Sequence, residues 1–399
     1  MLFRAFVGGL TAAFLLLAIP VAPASADTVK MGVILSLSGT DSSPGIMQDK
    51  AINLYMKLHQ KELPQGVSLD IIKRDDTGPN PEVAKRLAQE LVTRDHVNLL
   101  FGTIYSPNAM AVAPVSAEAK VPQIVTVAAG SAITRASPYI VRTSFTIWQQ
   151  AYPLAKWAYK QGWRKAYTAV SDYIPGHDGE AGFSKGFTEA GGEIIGSVRM
   201  PLGNPDITPY IQRIKDAKPD VVFNFLPGGP RSVAFMKAWH DLGLDRAGIK
   251  IIATQDLVID SELPNMGDTP LGIVTAGNHS AAATRPANKE FVAAWQKEYG
   301  ENDPVDYVGV CAWDSMQMVF DMLKATKGKF TSDQAMDFFR HWKTDKSPRG
   351  PISIDPETRD IVQNIYIRRV EKVNGRLANI EFDTIPNVKD PWKELNPAK

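Results

Sequence analysis

Apolar positions along this chain follow two periods, and the switch between them marks its elements. Residues 29–37 form an apolar run of strand length. Residues 46–59 then repeat apolar positions at helical spacing. The same reading gives a strand at 67–75, a helix at 81–93, a buried strand at 97–101, a small-residue helix at 109–119 and a strand at 123–127, with a further extended piece at 139–143. This alternation predicts a parallel sheet with helices on both faces.

The pattern then restarts. Helices are expected at 149–161, 179–190, 207–217 and 231–242, and strands at 165–171, 193–200, 221–226, 249–254 and 272–277. Two similar α/β units thus stand in tandem, without sequence identity at a fixed period. Helices resume at 286–299, 305–326 and 332–342. Residues 350–382 read as short strands separated by turns at Asp355-Pro356 and Asn374-Gly375. The tail from Thr384 reads as irregular.

Composition narrows the class. A chain of 399 residues exceeds one simple core, so two domains are expected. The net charge of +1, with both signs interspersed, points to neither nucleic acid nor a membrane surface. Arg4, the apolar run 5–22 and Ala24-Ser25-Ala26 read as a secretory signal peptide cut after Ala26, which predicts export. A membrane anchor is the alternative. It wants about 20 uninterrupted apolar residues, and Gly8, Gly9, Pro20 and Pro23 interrupt this run. No cysteine stands at the cleavage point to carry a lipid. Cys311 is the only cysteine, so no internal disulfide forms, and a buried inert thiol is expected.

Motifs for catalysis are missing. There is no GxGxxG after a strand, no Walker loop, no GxSxG and no HExxH. The histidines at 59, 96, 177, 240, 279 and 341 lack metal-ligand spacing. We therefore expect no enzyme, no cofactor and no metal. What remains are loops at strand ends, rich in Ser, Thr, Gly, Tyr and Trp: 36–45, 102–106, 127–131, 144–148, 171–178, 227–229 and Gln255-Asp256. Ligands of open α/β sheets sit outside the carboxyl ends of the strands. Two such sheets facing each other across a hinge would bring these loops to one cleft that closes on a small molecule. In the stretch 97–116, Gly102 ends a strand, Ser106 reads as the N-cap and Pro107 as the first helical residue. The exposed N–H groups of such a helix start attract an anion. An ordinary strand–helix turn capped by serine is the alternative.

The segments KMGVILSLSG, RDDTGPNPEVA, GTIYSP, VPQIVTVAAGSAIT, YIVRTSF, SDYIPGHDGEAGFSKGF, KPDVVFNF and GDTPLGIVTAG stand in an order and spacing that resemble the leucine/isoleucine/valine-binding family of periplasmic ABC-transporter receptors. The resemblance spans nearly the whole mature chain. It implies two Rossmann-like lobes joined by a three-crossing hinge, near 142–145, 272–278 and 350–355. Lobe one would hold 27–143 plus 278–352, and lobe two 144–277 plus 353–399, after the signal peptide 1–26.

By the same resemblance, the ligand carboxylate meets Ser106, Val127 and Ala129. Many members carry threonine at the position of Ala129; Gly130 and Ser131 follow it as possible donors. Pro227 and Gly228 stand where the family commonly has a tyrosine. The acid that receives an α-ammonium aligns with Gln255, with Asp256 one position on. Tyr105 occupies one position of a disulfide found in some members. An unpaired buried ammonium is costly, so the carboxylate anchor is better supported than the ammonium anchor. Tyr105, Trp148 and Tyr173 offer apolar walls to an aromatic or aliphatic acid, or they are core packing. The implied function is capture of a small amino acid or carboxylate and delivery to a membrane permease with its ATPase. Alternatives are a receptor for aromatic acids or for neutral amides such as urea, which Gln255 would suit, and a sensor subunit for a membrane receptor.

Overall fold

Strands covered on both faces set the architecture. In β1 (Asp27–Leu35), Val29, Met31, Val33 and Leu35 join one apolar core, while Ile34 joins another with Leu87 and Leu91. Such a strand has no polar face, which suits the middle of a parallel sheet. The computed structural model describes residues 27–203 and 206–397, so the signal peptide expected at 1–26 lies outside the described residues.

After β1 come α1 (Ser43–His59), β2 (Val67–Asp75), α2 (Pro81–Thr93), β3 (Leu99–Gly102), α3 (Ser106–Ala119), β4 (Gln123–Val125) and β5 (Ile140–Arg142). The five strands pair in parallel in the order β2-β1-β3-β4-β5. Gly102 permits the break after β3. Its φ is +113°, and a Cβ there would lie 2.3 Å from the Ile34 carbonyl oxygen.

The second unit runs through α4 (Ile147–Lys160), β6 (Lys165–Ser171), α5 (Ile174–Glu189), β7 (Glu193–Met200), α6 (Thr208–Ala217), β8 (Val221–Phe225), α7 (Pro230–Asp241), β9 (Lys250–Thr254) and β10 (Val274–Gly277). The chain then returns to the first unit with α8 (Pro286–Tyr299), α9 (Tyr307–Thr326), which packs on α1, and α10 (Ser332–Arg340). It ends with β11 (Lys343–Thr344), β12 (Ile352–Ile354), β13 (Ile361–Val373), β14 (Arg376–Val388) and α11 (Pro391–Leu395). The second sheet has the order β11-β12-β13-β10-β9-β8-β6-β7, with β14 on β13. Its β7-to-β10 part is parallel, and β13 closes it antiparallel to β10. The molecule is thus a two-lobed α/β protein. β11 and β12 hydrogen-bond in the second sheet, so residues 343–354 sit with that sheet.

Two expectations need correction here. Residues 361–388 form one long hairpin about Asn374-Gly375, whose positive φ values of 51° and 79° build the turn. The tail from Thr384 is ordered: β14 runs to Val388, and Asp390 caps α11 by accepting from Trp392 N. The apolar side of β14 is sparse, which hid it from a periodicity argument.

Buried polar side chains tie the lobes at the hinge. Arg349 is 1% exposed. Its Nη1 donates to the Ser144 carbonyl and to Gln363 Oε1, both at 2.7 Å, its Nη2 donates to the Thr143 carbonyl, and its Nε donates to Asp314 Oδ2 at 2.8 Å. Gln363 Oε1 also accepts from Asn278 Nδ2. One guanidinium thereby gathers the segment after β5, the segment after β10 and the α9 helix. Removing one partner of such a pair leaves the other charge buried. Arg349→Ala should therefore cost about 3–5 kcal/mol, read as a lowered urea midpoint by circular dichroism. A loss under about 1 kcal/mol would show that the hinge does not rely on this group.

Candidate ligand-binding cleft

The strand–helix connections of both lobes open on one cleft. Ser43 and Pro44 start α1, Ser106 starts α3, Pro175 lies in the first turn of α5, and Gly229 precedes α7; all line it. The two lobes use the same local device. In Ser43-Pro44-Gly45 and in Ile174-Pro175-Gly176 the glycine packs onto a strand-end carbonyl. A Cβ would lie 1.9 Å from Ser36 O in the first and 1.7 Å from Ser171 O in the second. No side chain caps α1, α3, α5 or α7, whereas α2, α4, α9, α10 and α11 have side-chain caps; α6 and α8 have none. Four helix starts with unpaired N–H groups and positive dipole ends therefore face the same space.

Ser106 is not the N-cap. Tyr105 holds that place with extended backbone, and Ser106 is the first helical residue. Its Oγ accepts from Gly130 N at 3.1 Å, which ties the start of α3 to the loop after β4. Helix limits of this kind shift by one residue easily.

The cleft has a cavity volume of about 50 Å³. At ~10–15 Å³ for each water-sized body, that is room for about three to five such bodies, far too little for a peptide. Its middle is apolar. Tyr173 stacks on Phe225 with centroids 6.0 Å apart, and Phe145 meets Tyr307 edge-on at 5.4 Å. One end holds Ser106, Val127 and Ala129. At Asp256, Oδ1 accepts from Tyr307 Oη at 2.6 Å and Oδ2 from Thr254 Oγ1 at 2.8 Å. Burial pushes the Asp256 carboxyl above the usual range, against those two hydrogen bonds. Burial also pushes Asp306, the cap of α9, up to about 6.

Two polar contacts join the lobes across the cleft mouth. Arg231 of α7 forms a two-armed ion pair with Asp41, at 2.8 Å and 3.1 Å, and sits beside the Tyr105 hydroxyl. Ser131 N donates to Asp178 Oδ2 of α5 at 2.8 Å.

Not all of the residues expected at the site reach the cleft. Tyr105, Ser106, Val127, Ala129, Tyr173, Pro227, Gly228 and Asp256 lie on the cleft wall. Gly130 and Ser131 stand just behind it, holding Ser106 and Asp178. Trp148 packs over Gly182 and Tyr152, with its indole turned to Asp178. The Gln255 side chain turns into the hinge and accepts from Asn278 N, so Asp256 is the residue presented to the cleft. Sequence reasoning passed over Phe145, Phe225, Ile259, Asp306 and Tyr307. Asp306, a polar residue opening a long apolar helix, carried a cap signal for the last two. Among the described residues no group of His, Cys, Asp and Glu is arranged to hold a metal, and no helix is long and apolar enough to cross a membrane.

A two-lobed α/β frame closing on a small cleft at its strand ends defines a solute receptor. A family model described as periplasmic binding protein matches residues 28–376, and the chain belongs to that family. Leu/Ile/Val-binding protein homolog 6 of Brucella melitensis is 41% identical over 371 residues, 92% of this chain and 94% of that protein. A solute-binding protein of an ABC transporter from Rhodopseudomonas palustris BisB5, solved with 3,4-dihydroxybenzoic acid, is 48% identical with a TM-score of 0.88, covering 92% of this chain and 99% of its own. Another from Rhodopseudomonas palustris HaA2, solved with p-hydroxybenzoic acid, is 43% identical with a TM-score of 0.88, covering 91% and 98%.

The raised Asp306 carboxyl has a consequence for stability. Its pKa of about 6 when folded exceeds the unfolded value, so the folded state binds the proton more tightly. The stabilisation is complete below about pH 4 and is lost as the pH rises through about 6. Asp306→Asn keeps a capping side chain and removes this titration. Urea titrations should show wild type losing about 2–3 kcal/mol more than the variant between about pH 4 and pH 7. Parallel curves would exclude a raised Asp306.

Proposed function

We propose that this chain is the receptor of an ABC importer for a single-ring aromatic carboxylate of the hydroxybenzoate class. The observation that carries this reading is the pairing of four uncapped helix starts with an aromatic wall. The helix starts favour an anion, and Tyr173, Phe225 and Phe145 offer faces to a ring. Ser106 and the 127–131 loop take the carboxylate. The ligands of the two Rhodopseudomonas palustris relatives support the same class. An amino acid is the second reading, because Asp256 stands on the wall where an α-ammonium would be received. Asp256 already accepts from Tyr307 and Thr254, and burial works against its charge, which favours the acid without an amine. A neutral amide loses support because Gln255 faces the hinge. The receptor works in the periplasm, carries out no chemistry on its ligand and hands it to a permease and ATPase pair.

Calorimetric titration with 4-hydroxybenzoate, 3,4-dihydroxybenzoate, 4-hydroxybenzamide and leucine tests this. The two acids should bind, and Ser106→Ala should weaken them roughly 10- to 100-fold, the amide less. Binding of leucine alone would overturn the proposal. Arg231→Ala should speed acid release by several-fold, on the order of 1 kcal/mol for a partly exposed pair, with the wild-type advantage shrinking in high salt. Stopped-flow displacement reads this rate. An unchanged rate would show that the ion pair does not hold the lobes together.

A further inference from the structure

The end of the chain reaches back to the cleft through a line of buried charges. Val127 and Ala129 are on the cleft wall, and the carbonyls between them and beyond are gripped from behind. Arg142, 0% exposed at the end of β5, donates from Nη1 to Ala128 O at 3.1 Å and to Gly130 O at 2.7 Å. Its Nε donates to Asp360 Oδ1 at 2.7 Å. The other oxygen of Asp360 accepts from Lys393 Nζ, which also donates to Thr134 Oγ1. Lys393 belongs to α11 and is 4% exposed. The same segment is fastened on either side. Lys389 pairs with Asp355 at 2.8 Å, and the Arg135 guanidinium lies 4.6 Å over the Trp392 ring.

The peptide unit is planar, so a fixed carbonyl fixes the N–H on its far side. Holding Ala128 O aims the N–H of Ala129, and holding Gly130 O aims the N–H of Ser131. The second of these donates to Asp178 in the other lobe. We propose that residues 389–396 form a strap that sets the geometry of the ligand-binding loop, with Lys393 as a positioning residue acting through Asp360 and Arg142 on the amides of Ala129 and Ser131. This rests on the reading above in one respect, that the 127–131 loop meets the ligand carboxylate. Arg142 serves three acceptors and is fully buried, so its orientation depends on that of Asp360. Lys393 is what restrains Asp360 on its second oxygen. The strap thereby couples the last helix to both ligand docking and lobe closure.

The test uses the full chain with Lys393→Met, probed with 4-hydroxybenzoate and 4-hydroxybenzamide by calorimetry and with amide hydrogen exchange. The expected result is an affinity loss of about tenfold for the acid and less than about threefold for the amide. Exchange in 127–131 should accelerate while β6 and β8 keep their protection. A folded variant with unchanged acid affinity, equal losses for both probes, or unchanged exchange in 127–131 would overturn the proposal. If Lys393→Met does not fold, Trp392→Ala loosens the strap and leaves the buried ions in place. It should show the same selectivity at about threefold, and a loss equal for both probes or none would overturn the proposal. If wild type binds neither probe, the ligand class is wrong, and the exchange measurement still decides the strap. If Ser106→Ala weakens the acid and Lys393→Met does not, the strap is wrong and the ligand class stands.

Discussion

The buried guanidinium of Arg349 is the constraint on which the two-lobed arrangement depends. It lies where the chain passes from one lobe to the other, and its donors reach backbone carbonyls of Thr143 and Ser144, the amide of Gln363 and the carboxylate of Asp314. The acceptors come from three places: the segment after β5, strand β13 and helix α9. A planar fork with five N–H groups is the one side chain able to serve so many acceptors in fixed directions. The cost of burying it is met only if all partners stay in place. The segments passing between the lobes are thereby fastened to one another at this point.

Around that point the lobes present equivalent surfaces. Each has a strand with a serine at or just past its end, leading to a Pro-Gly helix start pressed against that serine's carbonyl. The cleft is where these starts meet. Their dipoles turn positive ends toward a wall that carries two aspartates, Asp256 and Asp306, and no cationic side chain. Two guanidiniums stand close by and both are engaged: Arg231 by Asp41 at the mouth, and Arg142 by Asp360 behind the 127–131 loop.

Much of this was legible in the sequence, and the reasons are physical. Strands β2, β6 and β7 were read at their observed limits: β6 is buried almost throughout, while β2 and β7 are part-exposed edge strands whose β-branched residues stand between turn-rich segments. α2 and α8 were read in full because proline marks their first turns. The start of α5 was missed because Ile174-Pro175-Gly176 resembles a turn; glycine there serves close packing on Ser171. At the cleft, the loops were visible as clusters of small polar residues. The direction of a side chain was not visible. Gln255 and Asp256 are adjacent, and only the short helical turn they begin decides that one faces the hinge and the other the cleft. Phe145 and Phe225 were indistinguishable from core because they are also core.

The lone thiol of Cys311 is fully buried in α9, and burial pushes its pKa up to about 12. It is thus closed to alkylating reagents at neutral pH, and the fold is assembled without any sulfur cross-link. A second cysteine placed at the rim of the cleft would be the single nucleophile available to a maleimide dye. The native chain is in this sense already prepared as an optical reporter, needing neither removal of a competing thiol nor an oxidising host to be made.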